Sequence, residues 1–276
     1  MGGLISLVLS DVSFASFGHS PSMGGNVTVL LALWLFDTLV AKRTLGESST
    51  ARWFAVHAFA NFIVVITSTV ALFSCLSDPI HCGDPDTFPD TSAFGASSPW
   101  PILTTNSVHV YHLLAFKLSA SDIFHHLMFI PTIGFMGQFW AWGPVRNALA
   151  FFISGLPGGI DYFNLVLTKT KRMKVIRQKR ICAALNCWVR GPGLIIFSFV
   201  LYQGLIYGTT PYVPKPAIAI IALLNTFNGM YYLKQSVANY AITHALGYVS
   251  ERISLTTGMR VPIWGKEAKE PQNTMS

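Results

Sequence analysis

The sequence predicts an all-α, polytopic membrane protein, and three observations lead there. Of its 276 residues, 51% are hydrophobic and only 11% charged, whereas soluble domains carry about a quarter charged residues. The mean hydropathy is +0.47. Seven stretches are apolar over the roughly 17 to 20 residues that a helix needs to cross a bilayer. With 12 acidic residues against 20 Phe, 7 Trp and 9 Tyr, the chain can neither cover a soluble globule nor stay disordered. Its net charge is +7, but the basic residues are clustered, which reports topology and anionic-lipid contact. No RNA-binding or helix-turn-helix pattern accompanies them, so nucleic acid is set aside.

The seven predicted spans run near residues 23–41, 55–73, 102–120, 123–140, 147–167, 181–207 and 217–233. Only Ser119-Ala-Ser-Asp122 separates the third from the fourth, which predicts a tight helical hairpin. The sixth contains Gly191-Pro192-Gly193, and a missing backbone donor there predicts a kink. Beyond Lys234 a partly apolar helical stretch runs to about Ile253 and is expected on the membrane surface. Three regions follow: an N-terminal lumenal segment 1–22, a transmembrane domain 23–234, and a C-terminal segment 235–276 ending in a polar tail, Lys266–Ser276.

Orientation follows from loop charge. Lys42, Arg43, Arg52, Lys117 and the run from Lys169 to Arg180 fall on one side; Asp78, Asp84, Asp86 and Asp90 fall on the other, with Arg146. The positive-inside rule then places the N-terminus in the lumen and the C-terminus in the cytosol. Met1-Gly2-Gly3 begins a myristoylation-like pattern, but a lumenal N-terminus is hidden from the cytosolic transferase. The lumen is oxidising and permits a disulfide between Cys75 and Cys82. Cys182 and Cys187 lie on the cytosolic side, and no CxxC pair marks a thiolate metal site.

Polar residues inside the spans carry the functional expectation, because each is costly in lipid unless paired or hydrated. At the helical rise, Asp37 and His57 lie about 8 Å from the basic ends of their helices, Asp161 about 12 Å and Arg190 about 15 Å. Asn225 and Asn228 lie about 14 and 9 Å from Lys234. His112, His125 and His126 flank the cytosolic hairpin. Polar groups at one depth predict a water-filled cavity open to the cytosol; helix-to-helix hydrogen bonding is the plainer account of Asn61, Asn225 and Asn228 taken singly. Arg190 needs a partner at its depth, and Asp161 is the expected one, with Asp37 second and an anionic lipid or a CoA phosphate as the ligand alternative.

Two chemistries suit such a layer. A histidine can take the proton from an attacking amine or hydroxyl during acyl transfer while Arg190 or an asparagine stabilises the oxyanion. His109, His112, His125 and His126 also approximate a His-x-x-His followed by His-His. The chain's 8 histidines are too few for the boxes of a di-iron site, so no metal is expected. A transporter would suggest an internal repeat, and none is evident. A retinal protein would bury its lysine in the last span, where Lys234 stands at the end; a G-protein-coupled receptor would close its third span with an arginine motif, where this chain has Lys117-Leu-Ser-Ala.

Three segments, in order and spacing, carry a family resemblance: Asp122-Ile-Phe-His125-His126-Leu127 on the fourth span, Asn186-Cys-Trp-Val-Arg190 on a later one, and Leu224-Asn225-Thr-Phe-Asn228-Gly-Met-Tyr-Tyr-Leu-Lys234 on the last. Together, over about residues 50–240, they resemble the TLC-domain family, the membrane fold shared by ceramide synthases and translocating-chain-associated proteins. The resemblance implies action in membrane lipid metabolism or homeostasis in the endoplasmic reticulum. It implies catalytic roles for His125, His126, Asp122 and Asp161, and substrate contacts from His112, Arg190, Asn225 and Asn228. No cofactor is implied; acyl-CoA would be a co-substrate, membrane lipids and a long-chain base the partners, and a homo- or hetero-oligomer is compatible with it. Where a ceramide synthase would show a His-Asp pair with further acidic residues, this chain reads Ser154-Gly-Leu-Pro-Gly-Gly-Ile-Asp161. In length it is nearer the compact TLC-domain proteins, for which roles in lipid composition are inferred. The alternatives to an acyl-CoA-dependent N-acyltransferase are therefore a non-catalytic lipid-binding regulator and a small-molecule transporter.

Overall fold

The computed structural model describes residues 23–47 and 49–257. The expected segment 1–22 with its myristoylation-like start, and the polar tail, lie outside the described residues, as do the side chains of Asp122 and His125. Seven helical rods follow one another: α1 (Gly24–Leu45), α2 (Thr50–Ser77), α3 (Trp100–Ala115), α4 (Ala120–Phe129, running on to Phe139), α5 (Pro144–Lys169), α6 (Val175–Tyr207) and α7 (Lys215–Thr257). No strand occurs among the described residues. Five rods, α1, α2, α5, α6 and α7, are long and apolar enough to cross a membrane, which makes this a polytopic membrane protein.

Helix α3 is the instructive exception. Its 16 residues span about 24 Å, short of the roughly 30 Å hydrocarbon layer, and it is rich in Thr, Asn, Ser and His. It is also the most enclosed element: every residue from Pro101 to His109 is buried. Protein rather than lipid surrounds it, and several of its polar groups are answered by neighbours. Asn106 donates to the Gly134 carbonyl at 3.0 Å and to Gln138 Oε1 at 2.7 Å. Gln138 in turn donates to Asn26 Oδ1 at 2.6 Å, and Asn26 to Ser107 Oγ at 3.1 Å. This amide chain fastens α1, α3 and α4 together in a layer where each unpaired group would be expensive.

Packing places α2 against α1, α3 and α5, and lays α6 along α7. Small residues set the closest approach: a Cβ on Gly158 of α5 would fall 2.7 Å from Asn61 Nδ2 of α2. Two apolar clusters result. One gathers Val29, Leu33, Val56, Ala60, Leu103 and Val108 from α1–α3. The other joins Trp142, Val145 and Leu149 to Leu194, Phe197 and Leu201 and to Ile218 and Ile221. Leu31, Phe73, Ile196, Phe199 and Leu223 remain exposed on the outside, as a lipid-facing surface requires.

Four rods contain a π turn: Asp37–Ala41, Ile130–Gly134, Phe151–Gly155 and Asn186–Arg190. Three of them contain or closely precede a proline, at Pro131, Pro157 and Pro192. A proline lacks a donor and crowds the carbonyl four residues back, and the wider turn relieves that clash. The kink expected at Gly191-Pro192-Gly193 is therefore a π turn immediately before it. A second difference concerns the C-terminal segment. Helix α7 is continuous for 43 residues, about 64 Å, with no proline between Pro216 and Pro262 to turn residues after Lys234 into a separate surface helix.

The connections 78–99, 140–143 and 208–214 meet at one end. Val145 donates its backbone N–H to the Cys82 carbonyl at 2.9 Å, Thr209 Oγ1 donates to the Ile80 carbonyl at 2.6 Å, and the Tyr212 hydroxyl donates to Asp86. Arg146 is buried here and donates to the carbonyls of Ser98 at 3.2 Å and Gly137 at 3.3 Å. In the same loop, hydrogen bonds from His81 hold the Asp78 carboxyl below its ordinary range. Cys75 and Cys82 are both buried free thiols in the second core cluster.

Candidate functional site: a buried histidine cluster beside a membrane-embedded arginine

Three helices bring four histidines together. His57 comes from α2, His109 and His112 from α3, and His126 from α4. Spacing explains the arrangement: Trp53 and His57 are one helical turn apart, as are His109 and His112, so each pair shares a face. The His57 and His112 ring centroids are 4.0 Å apart, those of His109 and His126 5.2 Å, and those of His112 and His126 6.0 Å. Aromatic rings close the cluster. Trp53 stacks on His112 at 4.0 Å, Phe129 on His109 at 4.3 Å, and Tyr162 of α5 on His57 at 4.2 Å. His109 Nδ1 lies 2.6 Å from the Thr105 carbonyl, which fixes that nitrogen as the donor.

All four imidazoles are buried, His112 completely. The expected water-filled cavity is thus not what they line; ring-on-ring packing fills the space. Open volume lies to one side instead, in a groove of about 470 Å³ lined by Leu31, Trp34, Asp37, Lys42, Arg52, Tyr111 and Leu114. At its floor Asp37 is fully buried and takes both Arg52 Nε and Nη2 at 2.6 Å, with the Tyr111 hydroxyl donating at 2.6 Å as well. That satisfied triad is how this bundle stores a charge pair in lipid.

Arg190 is held differently. It closes the π turn of α6, donates from Nη2 to Asn228 Oδ1 of α7 at 2.8 Å, and lies over the Tyr232 ring at 4.4 Å. The ion pair expected with Asp161 does not form. Asp161 accepts from Gln178 at 2.7 Å instead, because Gln178, near the start of α6, lies closer along the antiparallel pair than Arg190. Asp37, the second expected partner, is taken by Arg52.

Of the residues expected from sequence, His112 and His126 meet in the cluster, and Arg190 meets Asn228. Asn225 stands apart: it is buried and borders a cavity of about 40 Å³ together with Thr105, Phe129 and Arg146. Asp122 and His125 sit on the α4 backbone, with side chains outside the described set. Trp53 and Tyr162 join the site although sequence reading gave them no role, while His57 was expected only as a polar residue of the layer and His109 only in the His-x-x-His pattern; the shared-face spacings of Trp53 with His57 and of His109 with His112 were the available signal. Among the described residues no group of His, Cys, Asp and Glu is arranged to hold a metal ion. Neither a protein-family model, nor a curated protein, nor a solved structure matches the chain.

Proposed function

We propose that this is a TLC-domain-like membrane protein of lipid metabolism, with seven spans, a lumenal N-terminus and a cytosolic C-terminus, resident in the endoplasmic reticulum. The single observation that carries the reading is the buried cluster of His57, His109, His112 and His126, which places several proton carriers in ring contact within an apolar bundle. The reaction that suits it is acyl transfer from acyl-CoA to the amine of a long-chain base. An imidazole, His126 or its neighbour His125, takes the proton of the attacking nitrogen as the C–N bond forms. The thioester C–S bond breaks, and the departing thiolate receives that proton, leaving an amide and free CoA. Neighbouring imidazoles supply a path for the proton, and Asp122 is the carboxylate assigned to orient them; Asp161, held by Gln178, is left without that role.

The experiment is a turnover assay on protein in lipid nanodiscs with long-chain acyl-CoA and a panel of sphingoid bases and lysolipids. Free CoA is expected, and His126→Ala is expected to lower its release by about 10²- to 10⁴-fold while the protein still elutes as a folded species. Absence of turnover with every acceptor would remove the enzymatic reading. A second reading, a non-catalytic lipid-binding regulator, is favoured by one observation: the four rings are packed against aromatic neighbours with little open volume. It predicts copurifying lipid without turnover.

A further inference from the structure

A guanidinium inside a membrane bundle is tolerated where its charge is answered, and among the described residues Arg52, Arg146 and Arg190 differ in how that is done. Arg52 has a carboxylate in bidentate contact. Arg146 has two backbone carbonyls at the end where the loops meet. Arg190 has a single neutral acceptor, Asn228 Oδ1, and an aromatic face. Its Nε is buried and has no hydrogen-bond partner. Among the described residues no carboxylate lies within ion-pair distance of it; Asp161 is turned toward Gln178.

The cost of that arrangement is general. A cation deep in a transmembrane helix costs at least about 2.5 kcal/mol when unanswered, and a buried donor without an acceptor adds to it. Cation–π contact with Tyr232 offsets part of the charge but gives the unused N–H groups nothing to bond. The planar fork of a guanidinium matches carboxylate and phosphate oxygens, and the π turn that ends at Arg190 is a feature often found at functional sites. The exposed apolar residues Trp188, Phe227 and Tyr231 stand close in sequence to Arg190, Asn228 and Tyr232 and offer an acyl chain a surface.

We infer that Arg190, Asn228 and Tyr232 form a binding site for the anionic head of a lipid-like ligand, a carboxylate or phosphate oxygen pair carried on an apolar chain. The missing counter-ion of Arg190 is then supplied by the ligand. The inference rests on the proposed lipid role only in supposing that a lipid enters the bundle; it assigns a charge to that lipid and requires no turnover.

Binding measured with non-reacting probes keeps the two apart. Protein in neutral detergent is titrated with oleate, with dioleoyl phosphatidate and with inorganic phosphate, each followed by thermal shift and native mass spectrometry, with oleyl alcohol as the uncharged control. Oleate, phosphatidate or both should raise the melting temperature and remain bound, while oleyl alcohol should not. Whichever of the two binds more tightly identifies the head, and stabilisation by inorganic phosphate alone would overturn the requirement for a chain. Arg190→Gln should weaken binding at least tenfold. Asn228→Asp is the second variant, chosen because it places an internal carboxylate against the guanidinium: it should raise the melting temperature of the ligand-free protein and suppress binding of the anionic probes. Equal binding of oleate and oleyl alcohol, or unchanged anion binding by Asn228→Asp, would overturn the inference even if the turnover assay succeeds.

Discussion

Arg52 and Arg190 present the same chemical problem to one bundle, and the bundle resolves it in opposite ways. Arg52 stands one turn into α2, where the chain from α1 returns within fifteen residues and brings Asp37 to 2.6 Å. Tyr111 completes the carboxylate's shell, Phe116 lies against the guanidinium at 4.5 Å, and the Glu47 carbonyl takes Nη1 at 3.1 Å. Arg190 stands in the middle of α6, and α7 supplies it with an amide and a ring. The first site is saturated and therefore structural. The second keeps donors in reserve, which a protein retains at a cost when another molecule is to use them.

The largest test of this contrast removes the carboxylate of the saturated site. Asp37→Asn leaves Arg52 enclosed without a counter-charge and is expected to cost about 3–5 kcal/mol, read as the loss of unfolding free energy in detergent. Adding Arg52→Gln should recover part of it; a single variant that loses less than about 1 kcal/mol would show that the pair is not what holds α1 to α2. A smaller effect is expected from a double-mutant cycle on Asp161 and Arg190. Because no ion pair joins them, the coupling should be about 1 kcal/mol or less, well under that of Asp37 with Arg52. A coupling equal to the Asp37–Arg52 value would restore the pairing expected from sequence depth.

The smallest effect concerns an exposed pair at the loop-bearing end. The Asp78 carboxyl is held below its ordinary range by hydrogen bonds from His81. A depressed carboxylate contributes stability above its unfolded-state value and loses it as pH falls through the folded one. Asp78→Asn should therefore lower loop stability slightly at neutral pH and flatten the acid limb, so that variant and parent converge as the pH falls below about 4. Hydrogen exchange of residues 78–84 at two pH values reads this directly.

How much of this was legible beforehand varies with the physics involved. The rods were readable because apolar length is a one-dimensional property, and α2, α5 and α6 lie close to their expected bounds. Helix α3 was readable as an element, but what surrounds Thr104, Asn106 and Ser107 was not, since that depends on α1 and α4 arriving from both sides. Depth along a helix grouped His57, Asp161 and Arg190 in one expected layer. Depth carries no azimuth, however: Asp161 and Arg190 share a level yet face different neighbours, and the π turn at Asn186–Arg190 alters the very rotation that a regular helix would have implied. His109 was visible as a possible ligand type and His57 as a buried polar residue, but their meeting with His112 and His126 is a fact of three helices.

The π turns also set how sequence length is tied to chemistry in this chain. Each carries one residue more than the α-helical turn it replaces, and one residue advances a helix by about 100°. Removing a single residue from Asn186–Arg190 would let α6 run as an unbroken α-helix, yet it would swing Ala184 and everything before it about 100° relative to Leu194 and everything after it. Gln178 would leave Asp161, and either Asn228 or the core contacts of Leu194 would be lost. The extra residue therefore works as a shim: it lets the half of the helix that begins at Val175 be aimed by α5 and the other half by α7, and a change of one codon's worth of length there would re-aim a whole face of the bundle.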